Sequence, residues 1–86
     1  MITPRNLVRH ELIGLDVEVA DSTDPTLKGI KGRIIDETRN MLAIEASGKR
    51  KRVPKGICKF RFRVKDVLVE VDGRVIVGRP QDRIKK

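Results

Sequence analysis

The feature that most constrains the fold is a period of two in the positions of the apolar residues. Between Lys59 and Lys65 every second residue is apolar and the residues between them are basic. The segment from Leu15 to Val19 alternates in the same way, with acids in place of the bases. Successive side chains of a β-strand point to opposite faces, so this pattern is typical of strands with one buried and one solvated face. We therefore expect a β protein.

Turn-forming residues divide the chain into six short apolar segments. The predicted strands are residues 15–19, 30–38, 41–46, 59–64, 67–71 and 75–77. Arg39-Asn40 and Ser47-Gly48 are interpreted as tight connections, and the cations that follow Gly48 as a loop. Asp72-Gly73 predicts a type I′ hairpin, because both central positions of that turn need positive φ. Short strands separated by turns predict an all-β fold, a small antiparallel barrel or sandwich.

The two ends of the chain carry helix signals. Thr3-Pro4 is typical of a helix start and Gly14 of a helix end, while Pro80 predicts a short helix in the tail. We expect a single domain over residues 1–86, with an N-terminal helical segment (1–14), a β-barrel (15–78) and a helical tail (79–86). No apolar run approaches the ~20 residues of a membrane helix. A cytoplasmic protein with no membrane association is the expectation.

Positive charge is concentrated in the second half of the chain. Residues 49–65 hold nine of the 20 Lys+Arg and no acid, so that 20 − 9 = 11 cations face 12 anions elsewhere. A polyanion that neutralises such a patch releases its own counterions, which makes nucleic acid the expected partner. The predicted RNA-binding residues in this segment are Lys49, Arg50, Lys51, Arg52, Lys55, Lys59, Arg61, Arg63 and Lys65.

Candidates for catalysis are few. Asp36 and Glu37 are adjacent acids, but neighbours on a strand point to opposite faces and cannot share one metal ion. Cys58 is the single cysteine and is predicted to be a small core residue. The two aromatics, Phe60 and Phe62, follow the core alternation, which favours recognition of RNA backbone and shape over base stacking. No catalytic residue, metal ligand or bound cofactor is predicted for the chain.

Six blocks of residues resemble, in order and with compatible spacing, the archaeal ribonuclease P protein component 1 family. These blocks are 3–15, 29–33, 36–40, 53–55, 60–62 and 78–83. One departure is Gln81, where the family pattern has Glu. The resemblance implies a twisted Sm-like antiparallel barrel with terminal helical extensions. It also implies a subunit of the ribonucleoprotein that removes 5′ leaders from precursor tRNA.

The resemblance implies partners as well. In that family the RNA subunit is the catalyst and requires magnesium, and precursor tRNA is met indirectly. The implied partners are the specificity domain of ribonuclease P RNA and a small zinc-ribbon protein subunit. The family blocks add Arg33, Arg39 and Asn40 to the RNA-binding set. Contacts with the partner protein are expected at Leu7, Val8, Leu12, Arg79 and Arg83.

Three alternative functions stay open on the residues alone. The segment 29–34 also resembles a hairpin of ribosomal SH3-like barrels, which bind ribosomal RNA. A small DNA-packaging protein would bind duplex DNA at least as well as RNA. A free-standing nuclease would cleave RNA with magnesium and without an RNA subunit.

Overall fold

Within the residues that the structure describes the protein is all-β, and its six strands form one antiparallel sheet. The computed structural model describes Leu7 and residues 11–78. The strands are β1 (Asp16–Ser22), β2 (Lys31–Glu37), β3 (Met41–Ala46), β4 (Lys49–Pro54), β5 (Cys58–Val64) and β6 (Val67–Asp72). Their order in the sheet is β4-β3-β2-β1-β5-β6, which makes β4 and β6 the two edges.

The sheet coils around one apolar core. Buried residues from all six strands belong to a single cluster, with Phe60 and Phe62 fully buried at its centre and their ring centroids 6.0 Å apart. The register shifts at Ala20 in β1 and at Ile35 in β2. An extra residue on one strand bends that strand and increases its twist, which helps the sheet to curl. The predicted small Sm-like barrel is confirmed.

Strand β4 corrects the interpretation of residues 49–52 as a loop. Ser47 and Gly48 both have positive φ, 53° and 78°, as the central residues of a type I′ hairpin require. This turn returns the chain antiparallel to β3, and the fully buried side chain of Val53 fixes the new strand to the core. Four successive cations are compatible with a strand at this place because an edge leaves their side chains in water.

The hairpin predicted at Asp72-Gly73 and the strand predicted over 75–77 are wrong. β6 ends at Asp72, and Gly73–Ile76 forms a 3₁₀ helix. The Asp72 carboxylate accepts a hydrogen bond from the backbone N–H of Arg74 at 3.0 Å and caps this helix. Gly73 is required for close approach, since a Cβ there would lie 1.7 Å from the carbonyl oxygen of Lys55.

The helices predicted at the chain ends fall mainly outside the described residues. Leu7 has a 3₁₀ conformation, and residues 11–14 are not helical. The other residues of the predicted N-terminal helix and the tail over 79–86 lie outside the described part of the chain, and the division into three segments stays a prediction. Gly14 donates a backbone hydrogen bond to the carbonyl of Ile34 at 2.7 Å. Within Leu7 and 11–78, no helix is long and apolar enough to cross a membrane.

Candidate nucleic-acid interface

Edge strand β4 presents four successive cations to solvent. We call them the cationic edge; the members, all exposed, are Lys49, Arg50, Lys51 and Arg52. Strand geometry directs two of them to each face. Their cross-strand neighbours on β3 include one acid, Glu45, opposite Arg50. Among the described residues, none of the four cations forms an ion pair with a carboxylate.

The basic residues of β5 lie in a different electrostatic setting. As predicted, Phe60 and Phe62 point inward. Lys59, Arg61 and Arg63 lie on the outer face and are called the β5 row. In the strand register, Lys59 lies between two acids and so does Arg61, while Arg63 has an acid on one side. The acids concerned are Asp16, Glu18 and Asp21 of β1 and Glu70 and Asp72 of β6.

Arg61 shows this compensation most directly. Its guanidinium nitrogens lie 3.4 Å from the carboxylate of Glu18 and 3.6 Å from that of Glu70. Exposed ion pairs of this kind contribute little to stability, but the two carboxylates repel a phosphate that approaches the arginine. Lys65 is not on the strand; it lies in the β5–β6 turn with φ of 56°. The β5 row is therefore a weaker anion-binding surface than the sequence indicates.

The three residues added by the family blocks lie in two places. Arg33 is exposed on β2 between an acid of β1 and an acid of β3, so its charge is compensated in the same way. Arg39 and Asn40 are exposed in the turn between β2 and β3. The carbonyl oxygen of Asn40 accepts the backbone N–H of Lys55 at 2.7 Å. This turn therefore adjoins the end of β4 and continues the cationic edge.

Lys55 is buried and is not part of the protein surface, which corrects its prediction from sequence as an RNA-binding residue. Its side chain is fully buried, and its ammonium donates to the equally buried carboxylate of Glu37 at 2.6 Å. The same ammonium donates to the carbonyl oxygens of Thr38 at 2.7 Å, Arg39 at 3.3 Å and Gly78 at 3.1 Å. A buried charge is tolerated only when it is paired and hydrogen-bonded. Lys55 is held by these partners and is unavailable to a phosphate.

The Lys55–Glu37 pair also forms hydrogen bonds with the chain segments that precede and follow the barrel strands. Glu37 Oε1 accepts the backbone N–H of Leu12 at 3.5 Å, and Lys55 reaches the carbonyl of Gly78. The backbone N–H of Gly78 in turn donates to the carbonyl of Arg39 at 2.7 Å. The chain segments before β1 and after the last 3₁₀ helix therefore meet at one buried site. Nothing in the sequence marks the two charged residues as partners, since 18 positions separate them.

Two of the predicted partner-protein contacts are core residues instead. Leu7 is 1% exposed and Leu12 is fully buried. Burial of apolar area stabilises the fold, and side chains used in this way have no surface to offer a partner. Val8, Arg79 and Arg83, the other three residues of that prediction, lie outside the described residues.

The opposite faces of the acidic pair and the core position of the cysteine are as predicted, whereas the burial of Glu37 was not predicted. Asp36 is exposed and Glu37 is buried, so the two carboxylates lie on opposite faces of β2. Burial raises the pKa of the Cys58 thiol, and its Sγ lies 3.4 Å from the hydroxyl oxygen of Ser22. A thiol with a raised pKa is a weak nucleophile at neutral pH. In the described ranges, no group of three or more His, Cys, Asp or Glu residues could hold a metal ion.

Fold and surface together define a small antiparallel barrel with one strongly cationic edge. A family model described as Ribonuclease P/MRP, subunit p29, matches residues 5–86. Ribonuclease P protein component 1 of Methanothermobacter thermautotrophicus is 57% identical over 88 residues, with 100% of this chain and 95% of the relative covered. The protein of the same name from Methanocaldococcus jannaschii is 51% identical over 87 residues, with 100% and 92% covered. This chain belongs to the ribonuclease P/MRP subunit p29 family.

A solved structure agrees with this assignment. The structure of Mth11, described as a homologue of human RNase P protein Rpp29, superposes with a TM-score of 0.62 at 53% sequence identity. The match covers 87% of this chain and 99% of the Mth11 chain. The resemblance found in the sequence is confirmed, and with it the role of this chain as a ribonuclease P subunit in tRNA processing.

Proposed function

We propose that this subunit binds ribonuclease P RNA through the cationic edge of β4. The observation that carries the proposal is the run Lys49–Arg52, whose four exposed cations face a single acid and form no ion pair within the described residues. Phosphates that replace the counterions of such a run gain affinity from counterion release. Arg39 and Asn40 extend the contact at the end of the strand, whereas the β5 row and Arg33 add less because acids flank them.

The contact is proposed to recognise the RNA backbone and its shape. Both aromatic side chains, Phe60 and Phe62, are fully buried and present no ring on which a base can stack. Lysine and arginine contacts to phosphate position a protein on a nucleic acid but carry no sequence information. Specificity then comes from the three-dimensional shape of the RNA, which places phosphates along the edge strand.

The chemistry is proposed to lie with the RNA subunit, together with the magnesium that it requires. Glu37 is fully buried and bonded to Lys55, and Asp36 lies on the other face of β2. The adjacent acids are therefore not an acid–base pair. The chain would assist removal of 5′ leaders from precursor tRNA by reducing the repulsion between RNA phosphates, which otherwise opposes RNA folding and substrate docking.

The specificity domain of the RNA and a small zinc-ribbon subunit are the proposed partners, and the cytoplasm is the proposed compartment. The family resemblance supports these partners. Since Leu7 and Leu12 are core residues, the protein–protein contact would depend on other residues, Val8, Arg79 and Arg83 among them.

Two matched double variants test the RNA site. R50Q/R52Q and R61Q/R63Q each remove two arginines with the same spacing on the outer face, the first from the cationic edge and the second from the β5 row. If four cations engage phosphates, log K for ribonuclease P RNA should fall with log salt with a slope of about −3 to −4. R50Q/R52Q should reduce the magnitude of that slope by about 1.4 to 1.8, and R61Q/R63Q by less.

Filter binding over a series of salt concentrations measures both slopes, with thermal unfolding as the control for folding. An equal or larger change in R61Q/R63Q would place the RNA on β5. Sequencing the RNA that copurifies with the tagged chain separates the alternatives, since ribosomal RNA or duplex DNA would contradict the proposal. Cleavage of precursor tRNA by the purified chain alone would contradict a non-catalytic role.

A further inference from the structure

Among the described residues no strand pairs with the outer side of β6, the second edge of the sheet, and the first half of this edge is apolar. On its inner side β6 pairs with β5 over six residue pairs without a register shift. Val67 and Leu68 are 49% and 58% exposed. Natural edge strands are commonly protected from further pairing by charged side chains, lysine above all, by proline or by a bulge. The β6 sequence Val-Leu-Val-Glu-Val-Asp contains neither lysine nor proline, its register is regular, and its two charges, both acidic, lie in its second half. Its geometry is therefore suited to accept one more strand.

The charges on β6 disfavour a nucleic acid as the occupant. Leu68, Glu70 and Asp72 lie on the outer face, since the register pairs them with the outward residues of β5. The Glu70 side chain is 57% exposed. The turn before β6 holds one cation and one acid, Lys65 and Asp66, whereas on the edge itself the carboxylates of Glu70 and Asp72 would repel a polyanion. The occupant is therefore a protein strand.

A second copy of this chain is disfavoured for a related reason. Two β6 strands related by a two-fold axis pair antiparallel, and outward residues must oppose outward residues. The two registers that pair five residues of β6 are centred on Val69 and on Glu70. Centred on Glu70, the pairing sets Glu70 against itself, and like charges directly opposite each other are destabilising. Centred on Val69, it sets the apolar Leu68 against the Glu70 carboxylate on both sides of the axis, so neither side chain gains a matched partner.

We infer that β6 accepts an extended segment of a partner protein by strand addition, with the chemistry that this edge selects. An added strand gains main-chain hydrogen bonds from the open edge, while the side chains that face the edge residues provide the specificity. The residue of the added segment that lies opposite Leu68 is apolar, and the residue opposite Glu70 is Lys or Arg. These two residues of the segment are two positions apart and therefore lie on the same face. This inference extends beyond the RNA contact proposed above and is independent of it.

The experiment uses the assembled ribonucleoprotein, isolated through the tagged full chain. Hydrogen–deuterium exchange of residues 67–72 is compared between the complex and the free chain. A photo-crosslinking amino acid at position 68 identifies the neighbour, with position 75 as the matched site because Val75 is 59% exposed and lies outside the edge. We expect exchange over 67–72 to slow by about tenfold or more, as for an edge that becomes hydrogen-bonded. The crosslink from position 68 should map to a protein segment in which apolar and basic residues alternate.

Charge reversal sharpens the test. Glu70→Lys should lower the amount of the crosslinked protein retained in the complex about tenfold, whereas Val75→Lys should leave it unchanged. RNA affinity should not fall in either variant, so a failure on β6 is separate from a failure on β4. Unchanged exchange over 67–72 overturns the inference. A crosslink to RNA, to a second copy of the chain or to an acidic segment overturns it as well.

Discussion

The two edge strands of the sheet, β4 and β6, both have one side without a neighbouring strand among the described residues, but their side chains differ in charge. β4 and β6 are each six residues long and each pairs with one neighbour. β4 carries Lys-Arg-Lys-Arg and ends in proline, two features that prevent another strand from pairing. β6 carries valine and leucine at exposed positions. The charges that keep a protein strand away from β4 are the charges proposed above to bind RNA, whereas β6 lacks lysine and proline and is proposed to accept a strand.

The comparison shows that strand order decides which cations have acidic neighbours, and the number of cations along the chain does not. Residues 49–65 form one basic run in the sequence. In the sheet, β4 lies at one end and β5 lies between β1 and β6. Lys59 and Arg61 of β5 thereby gain acidic neighbours on both sides and Arg63 on one side, while the cations of β4 have one neighbouring strand with one acid. Strand order divides the run into an uncompensated half and a compensated half.

The largest expected effect concerns the charged residue that follows β4. Lys55→Ala leaves the buried carboxylate of Glu37 without its cation, so the free energy of unfolding should fall by about 3–5 kcal/mol. Lys51→Ala removes the same side chain from an exposed position of β4 and should change it by less than about 0.5 kcal/mol. Chemical denaturation of both variants measures the difference. Similar losses would mean that Lys51 also has a structural role on this edge.

An intermediate effect is expected at the turn that begins β4. Gly48 has φ of 78° and no atom near the position of an added Cβ, so Gly48→Ala introduces backbone strain without a clash. The cost should be about 1–2 kcal/mol, the penalty of an L-residue in the left-handed region. Gly56→Ala is the matched control, since that position is equally open and its φ is not positive. Thermal unfolding should show a loss for Gly48→Ala alone; a loss for both would assign the effect to the added methyl group.

The smallest effect is expected at the end of β6. Hydrogen bonds from the Arg74 side chain and backbone lower the pKa of Asp72 to about 2, from an ordinary value of 3.8. Because the pKa is lower in the folded state, the stabilisation is complete above about pH 4 and is lost as the pH falls towards 2. The effect should be small, since the pair is exposed.

Unfolding measured from pH 5 to pH 1.5 should show this loss in the wild type. In Asp72→Asn the pH dependence over the same interval should be weaker, because the amide keeps an oxygen for the cap and does not titrate. An unchanged pH dependence in Asp72→Asn would assign the acid sensitivity to other carboxylates. The Lys55 and Asp72 variants together compare the buried ion pair that follows β4 with the exposed ion pair at the end of β6.

The alternation of buried and exposed residues in β5 could be predicted from the sequence, whereas strand β4 could not. The inward positions of Phe60 and Phe62 follow from the period of two, and the structure confirms them. The number of strands is also as predicted, but β4 takes the place of the strand expected over 75–77. Within residues 49–54 Val53 is the single buried side chain, so no alternation marks the segment. The turn at Ser47-Gly48 was the available signal, because it requires a returning partner for β3.

The sequence by itself determined the β class, the family and the presence of an excess of positive charge. These features depend on the identity and spacing of residues along the chain, which folding does not change. Tertiary structure alone decided which cations remain available. Lys55 is withdrawn by a carboxylate 18 residues away, and Arg61 is flanked by acids from two other strands. Such pairings depend on strand order and register, which bring distant residues within a few ångströms. A carboxylate at that distance from a cation reduces the electrostatic attraction of the cation for an anionic ligand.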